Sequence, residues 1–169
     1  MFITEPEFVE AESRDPYLKG RWPYWSEAIN MIDDNFVVSD ISLVLEIGAH
    51  HRMWKGSTVL DIDPKIATVT KDAGVTPWPF PDKHFDLCIG LQVWEHLDRK
   101  AHPDPFLEAR RVAYAVLLSF PIYWDVPGNS MHHDIKLRNV AQWCNRQEPD
   151  ETRIVGLTTA RPRMLCLWR

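Results

Sequence analysis

Two histidine-bearing clusters carry residue types suited to proton transfer. Glu95-His96 follows the apolar run Phe85–Gly90, and His132-His133-Asp134 follows another, Ala113–Phe120. Histidine titrates near neutrality, so His96, His132 and His133 are the candidate general bases. Both clusters also admit a structural reading. Glu95 can be a helix-start carboxylate favoured by the dipole, with a capped His96, and Asp134 the N-cap of a following helix. Further acids stand at the ends of apolar runs: Glu46 in Glu46-Ile47-Gly48-Ala49-His50, then Asp61-Ile62-Asp63-Pro64, and Asp72 after a third. Pro64 favours a turn, so Asp61 and Asp63 could equally cap the next segment. Cys88, Cys144 and Cys166 are an odd, widely spaced set. They suit reduced, buried thiols better than a disulfide framework or a zinc site.

The elements that must position these residues alternate between strand and helix. Ser42–Ile47 is a continuous apolar run ending at Gly48, as expected of a buried parallel strand. Strands are further predicted over Thr58–Ile62, Ile66–Thr70, Phe85–Gly90 and Ala113–Phe120, with a closing pair over Arg153–Thr158 and Met164–Trp168. Helices are predicted over Ser26–Asp34, where Trp25, Ala28, Ile29 and Ile32 recur at helical spacing, over Pro105–Val112, and over Asp134–Cys144. Such alternation implies a parallel α/β sheet, the closing pair adding an antiparallel edge strand. The 169 residues are expected to form one domain, 1–169, with 1–40 an N-terminal arm and lid helix and 41–169 the core. Ligands in such sheets bind outside the carboxyl ends of the strands, which is where the acids and histidines fall.

Bulk properties exclude some partners. A net charge of -5 argues against general nucleic-acid affinity, although Arg153, Arg161, Arg163 and Arg169 gather near the C-terminus. The first residues are acidic and carry no cationic, apolar signal, and no apolar run approaches transmembrane length, so a cytoplasmic, soluble protein is expected.

The block Trp78-Pro79-Phe80-Pro81-Asp82-Lys83-His84-Phe85-Asp86 through Glu95-His96-Leu97 resembles the middle of the class I S-adenosylmethionine (SAM) methyltransferases, in particular their type-11 group. Phe106–Val112 resembles that family's helix before strand five, and Ser119-Phe120-Pro121 the turn after it. The likeness spans about residues 43–121. It implies a Rossmann-like three-layer sandwich with a mostly parallel seven-stranded sheet, and SAM as cofactor. By that resemblance Gly48, Ala49 and His50 approach the methionine moiety and Glu46 orients its amino end. Asp61, with Asp63 as alternative, accepts from the ribose hydroxyls, Ile62 lies beside it, and Asp72 and Ala73 meet the adenine. Leu91 and Gln92 line the edge. The first motif departs from the family's G-x-G-x-G in keeping only Gly48, and only about a dozen residues separate Gly48 from Asp61, too few for a full crossover helix.

Methyl transfer from a sulfonium is an in-line displacement, so the protein mainly aligns acceptor, methyl and sulfur. A hydroxyl acceptor would need a base from His132, His133 or His96, whereas an amine or carboxylate needs alignment alone. The aromatic segment Trp22–Trp25 is expected to cover the cofactor or shape the acceptor pocket. The short chain favours a small-molecule acceptor and leaves a homodimer or a partner protein open as the means of completing the pocket. Two alternatives stand beside this reading. One is a non-catalytic SAM-binding or regulatory module. The other is a different SAM-consuming enzyme, including a metal-assisted RNA ribose 2′-O-methyltransferase, whose metal ligands Gln92, Glu95, His96 and His132 or His133 partly resemble. Gln92 is a poor ligand, so no metal is expected.

Overall fold

The computed structural model describes residues 1–97, 103–128, 130–159 and 161–169. Seven strands form one sheet: β1 (Val44–Ile47), β2 (Thr58–Asp61), β3 (Val69–Thr70), β4 (Phe85–Leu91), β5 (Ala113–Pro121), β6 (Glu151–Val155) and β7 (Arg163–Trp168), in the order β3-β2-β1-β4-β5-β7-β6. The first five run parallel, with Leu45 opposite Cys88 and Ile89 opposite Leu117 fixing the central register. The antiparallel pair expected at one edge is β6–β7: β7 runs antiparallel to both β5 and β6, and β6 is outermost.

Alternation along the strands divides the core between the two faces. Leu87 and Ile89 of β4, Ala115 and Leu117 of β5, and Leu165 and Leu167 of β7 pack under α1 (Glu5–Arg14) and α2 (Trp22–Asn35). Cys88, Val116, Leu118 and Cys166 face the other way, under α3 (Asp104–Val112) and α4 (Leu137–Trp143). Helix α2 starts earlier than its apolar spacing predicts, because Trp22-Pro23 tolerates the first turn. It buries Trp25, Ala28, Met31 and Ile32. Helix α1 lies in the segment read as an arm, and its start is fixed by a reciprocal cap between Thr4 and Glu7.

Two expectations are corrected. Helix α4 is shorter than Asp134–Cys144: Lys136 occupies its N-cap and donates its N–H to Asn139, while Asp134 sits at φ 45° in the preceding turn and caps nothing. Strand β3 keeps only Val69–Thr70 of the predicted Ile66–Thr70. The β1–β2 connection contains no helix, as its length required. Among the described residues no helix is long and apolar enough to cross a membrane.

Candidate active site

The loops after β1, β2 and β4 converge at one end of the sheet. Gly48 turns the chain at φ 61°, and a Cβ there would lie 2.6 Å from Val93 Cγ2 in the loop after β4. Only glycine meets both constraints. Its N–H donates to the Leu60 carbonyl at 3.0 Å, tying the loop to β2.

With no helix to hold residues 48–57, the buried Glu46 carboxylate does so. It accepts from the Met53 and Trp54 N–H groups, both at 2.9 Å, and from the Ser57 hydroxyl at 2.7 Å. Burial raises its pKa, and those three donors offset the rise only in part. Both oxygens are thus engaged by its own loop.

The N-terminal arm closes over that loop. Met1 and Ile3 pair with Lys55 and Met53 through the backbone, Phe2 packs edge-on to Trp54, and Lys55 bonds Glu7. Asp15 Oδ2 lies 2.8 Å from Nε2 of both His50 and His51, and Tyr17 packs on His50. Hydrogen bonds from His51, the Tyr17 N–H and His50 hold the Asp15 carboxyl well below the usual carboxylate range. Between arm and loop remains a cavity of ≈ 20 Å³, bounded by Tyr17, Tyr24, Glu46, Gly48, His51 and Leu91. That is room for about one water.

On the β2 side, Asp61 is half-buried and its Oδ1 accepts from the Asp63 N–H at 2.7 Å. Asp63 is exposed and caps Lys65. Ile62 is an exposed apolar side chain beside them. Asp72 accepts from the Gly74 N–H, and the Ala73 carbonyl accepts from Trp78 Nε1. After β4, Gln92 adopts φ 58°, donates its N–H to Ser119 Oγ, and accepts from the Tyr24 hydroxyl at 2.9 Å. Gln92 thus anchors α2.

Beyond it, a short 3₁₀ turn, Trp94–His96, delivers Glu95 into the interior. Its side chain is fully buried, and apart from its own backbone N–H no group among the described residues donates a hydrogen bond to either carboxylate oxygen. His132 Nε2 lies 3.6 Å and His96 Nε2 4.0 Å from Oε1, and the two rings pack 5.1 Å apart. His132 stacks on Trp124, which is anchored through its indole N–H to the Pro162 carbonyl. Burial pushes the Glu95 carboxyl up to about 7, offset in part by a backbone hydrogen bond and by Arg163 and Arg21. Burial lowers the pKa of both histidines, and for His132 the neighbouring His96 and the positive field of Arg163, Arg161 and Arg21 add to this. Both are therefore neutral, base-competent imidazoles at neutral pH.

The structure brings His96 and His132 together and leaves His133 apart: that residue is exposed, with Nδ1 2.6 Å from the Val126 carbonyl. Glu95, His96 and His132 present ligand atoms within 4.8 Å of one another, as do Asp15, His50 and His51. A cation at the first group would enter the field of three arginines, which opposes it. Sequence reasoning did not single out Asp15, Tyr24 or Arg163. Tyr24 lay within the aromatic segment expected to shape the pocket and Arg163 within the C-terminal basic group, whereas Asp15 had no signal.

No protein-family model matches the chain, and no curated protein matches it by sequence. Solved structures do match. A 1,6-didemethyltoxoflavin-N1-methyltransferase from Burkholderia thailandensis, with bound 1,6-didemethyltoxoflavin and S-adenosylhomocysteine, superposes at TM-score 0.64 and 14% identity, covering 96% of this chain and 84% of that one. The N-methyltransferase NodS of Bradyrhizobium japonicum matches at 0.61 and 14%, covering 92% and 97%. A SAM-dependent methyltransferase of Methanosarcina mazei matches at 0.54 and 15%, covering 74% and 90%. The fold is that of the class I SAM-dependent methyltransferases. At these identities the likeness concerns the fold, and the function is argued from the site.

Proposed function

We propose that this chain is a SAM-dependent methyltransferase acting on a small acceptor. The observation that carries the reading is the fully buried Glu95, met by no donor from another described residue, with His96 and His132, on a sheet of methyltransferase order, beside the loops that present Gly48, Asp61 and Asp72. The cofactor's methionine end is assigned to Gly48, Ala49 and His50, its ribose to Asp61 with Ile62 beside it, and its adenine to Asp72 and Ala73. Leu91 and Gln92 form the wall between cofactor and acceptor. That the Burkholderia enzyme holds S-adenosylhomocysteine on this fold supports the cofactor.

The reaction needs alignment above all. Tyr24, fixed by Gln92, and the Trp124–His132 stack flank the acceptor side. For a hydroxyl acceptor, neutral His132 takes the proton at Nε2, and the nearby Glu95 stabilises the imidazolium formed. For an amine acceptor, Glu95 accepts an N–H and orients the lone pair. A cavity of ≈ 20 Å³ cannot admit a methionine moiety, so the arm from Met1 to Tyr17 must lift for SAM to enter. The same closed arm favours, as a second reading, a SAM-responsive module without turnover.

Calorimetric titration with S-adenosylhomocysteine tests the proposal. Wild type should bind, and Asp61→Ala should bind about tenfold or more weakly, since hydrogen bonds to a charged group contribute about 1.5–3 kcal/mol. Equal affinity of the two proteins would remove the ribose assignment, and no binding to wild type would remove the cofactor.

A further inference from the structure

Arg163 is a partly buried cation that no anion among the described residues pairs with. It opens β7 with its backbone paired to Pro121 of β5 and Val155 of β6, so its origin is fixed by the sheet. Its guanidinium carbon lies 4.6 Å from the ring centroids of both Tyr24 and Trp124. Nη1 is buried without a hydrogen-bond partner, and Arg163 forms no ion pair among the described residues. Arg110 likewise has a buried Nη1 without a partner, its Nη2 donating to the Arg169 carbonyl, but two other partly buried arginines are treated differently. Arg111 pairs with Glu108 and Asp82, and Arg153 with Glu27, Asp34 and Glu151. Burial lowers the pKa of Arg163 to about 10, which leaves it charged at neutral pH.

Glu95 has the opposite need: two buried acceptor oxygens and, beyond its own backbone N–H, no donor among the described residues. The two charges attract, yet they do not meet. Arg21, which donates to the Tyr24 hydroxyl, and Arg161, 5.5 Å from the Trp124 ring, extend the positive field. In a chain of net charge -5, three arginines converging on two aromatic rings are a local inversion of sign.

We propose that the methyl acceptor carries an anionic group, a carboxylate or a phosphate, seated on Arg163 beside Tyr24 and Trp124, and an N–H or O–H directed at Glu95. Guanidinium offers planar, bidentate recognition of either anion. The identification of this ligand as the acceptor rests on the methyltransferase reading, whereas the anion site follows from Arg163 itself.

The test is an NMR titration of the Trp124 indole N–H, assigned by Trp124→Phe, with sodium acetate, inorganic phosphate and, as uncharged control, acetamide at constant ionic strength. Saturable millimolar binding of acetate or phosphate is expected, with none for acetamide, and the tighter anion names the class. Arg163→Gln should weaken it about tenfold or more, and Arg163→Lys less, since the lysine keeps the charge without the planar fork. The lysine variant carries the comparison if the glutamine variant does not fold. No saturable shift with either anion, or equal binding by wild type and the variants, would overturn the proposal. S-adenosylhomocysteine binding to the variants is measured in parallel and should be unchanged. Its loss would assign Arg163 to the cofactor's own carboxylate and overturn the proposal as well. Failure of wild type to bind S-adenosylhomocysteine would instead remove the methyltransferase reading and leave the anion site standing.

Discussion

Replacing Glu95 by glutamine should stabilise the protein, and only at high pH. The carboxyl is fully buried with no hydrogen bond from any other described residue, and burial raises its pKa from 4.5 to about 7. The unfolded chain ionises near the lower value and the folded chain near the higher one. Between them the unfolded state holds fewer protons, so stability falls as pH rises through that window and is level above it. The full penalty is about 3 kcal/mol. The groups facing Glu95 do not reverse this. Burial lowers the pKa of His96 and His132, so as pH rises they lose positive charge and do not offset the cost, and Arg163 stays charged throughout. Glu95→Gln removes the ionisation but keeps the shape. Its own unmet hydrogen bonds shift the whole curve equally, so the observable is the slope. Urea unfolding of both proteins from about pH 5 to about pH 8.5 should show their difference growing in favour of the variant by up to about 3 kcal/mol. A difference that does not change with pH, or a variant that loses ground as pH rises, would mean that the ionised carboxylate has partners in the folded protein. The reading of Glu95 as an unmet acceptor would then fail.

Gly48→Ala places a methyl 2.6 Å from Val93 Cγ2 at a backbone φ of 61° and should cost about 2–4 kcal/mol in the urea midpoint. Gly48→Ala with Val93→Ala should recover the steric share, and a cost below about 1 kcal/mol for the single change would contradict the geometry. Asp15→Asn removes the carboxylate that His50 and His51 share, so stopped-flow binding of S-adenosylhomocysteine should become severalfold faster with little change in the unfolding midpoint. An unchanged rate would show that the arm does not gate the site.

The sheet was legible because its central strands are buried on both faces. Val44–Ile47 is buried throughout, and Phe85–Leu91 nearly so, and such strands read as unbroken apolar runs. β3 is a two-residue edge strand whose side chains are not fully buried, so its bounds left little trace in hydrophobicity. The start of α4 was misplaced because Asp134 is a good capping residue by type, while the backbone there turns left-handed as Asp134 N–H pairs with the Trp124 carbonyl. The same turn separates His132 from His133, which neighbours in sequence could not reveal. Glu95 was visible as a residue type but not as an unpaired one, since lack of a partner is a tertiary fact. The aromatic setting of Arg163 is assembled from α2, the loop after β5, and β7, three segments with no local pattern in common.

Glu46 and Glu95 form an internal control for separating structure from function. Both are glutamates at the C-terminal side of central parallel strands, both are at most 3% exposed, and burial raises the pKa of both. Glu46 is met by two backbone donors and a hydroxyl, and those donors belong to the loop that stands where a crossover helix would be. Its burial is therefore explained by the fold: the carboxylate replaces the order that a helix would have supplied. Glu95 is met by no other described residue, although His96 and His132 stand within 4.0 Å and Arg163 is close enough to be felt electrostatically. A chain that gives one buried glutamate three donors has no difficulty in satisfying another. Burial without satisfaction is costly and adds nothing to the core, so the missing donors at Glu95 are best explained by a ligand that brings them. The same logic applied to Arg163 requires that ligand to bring an acceptor as well.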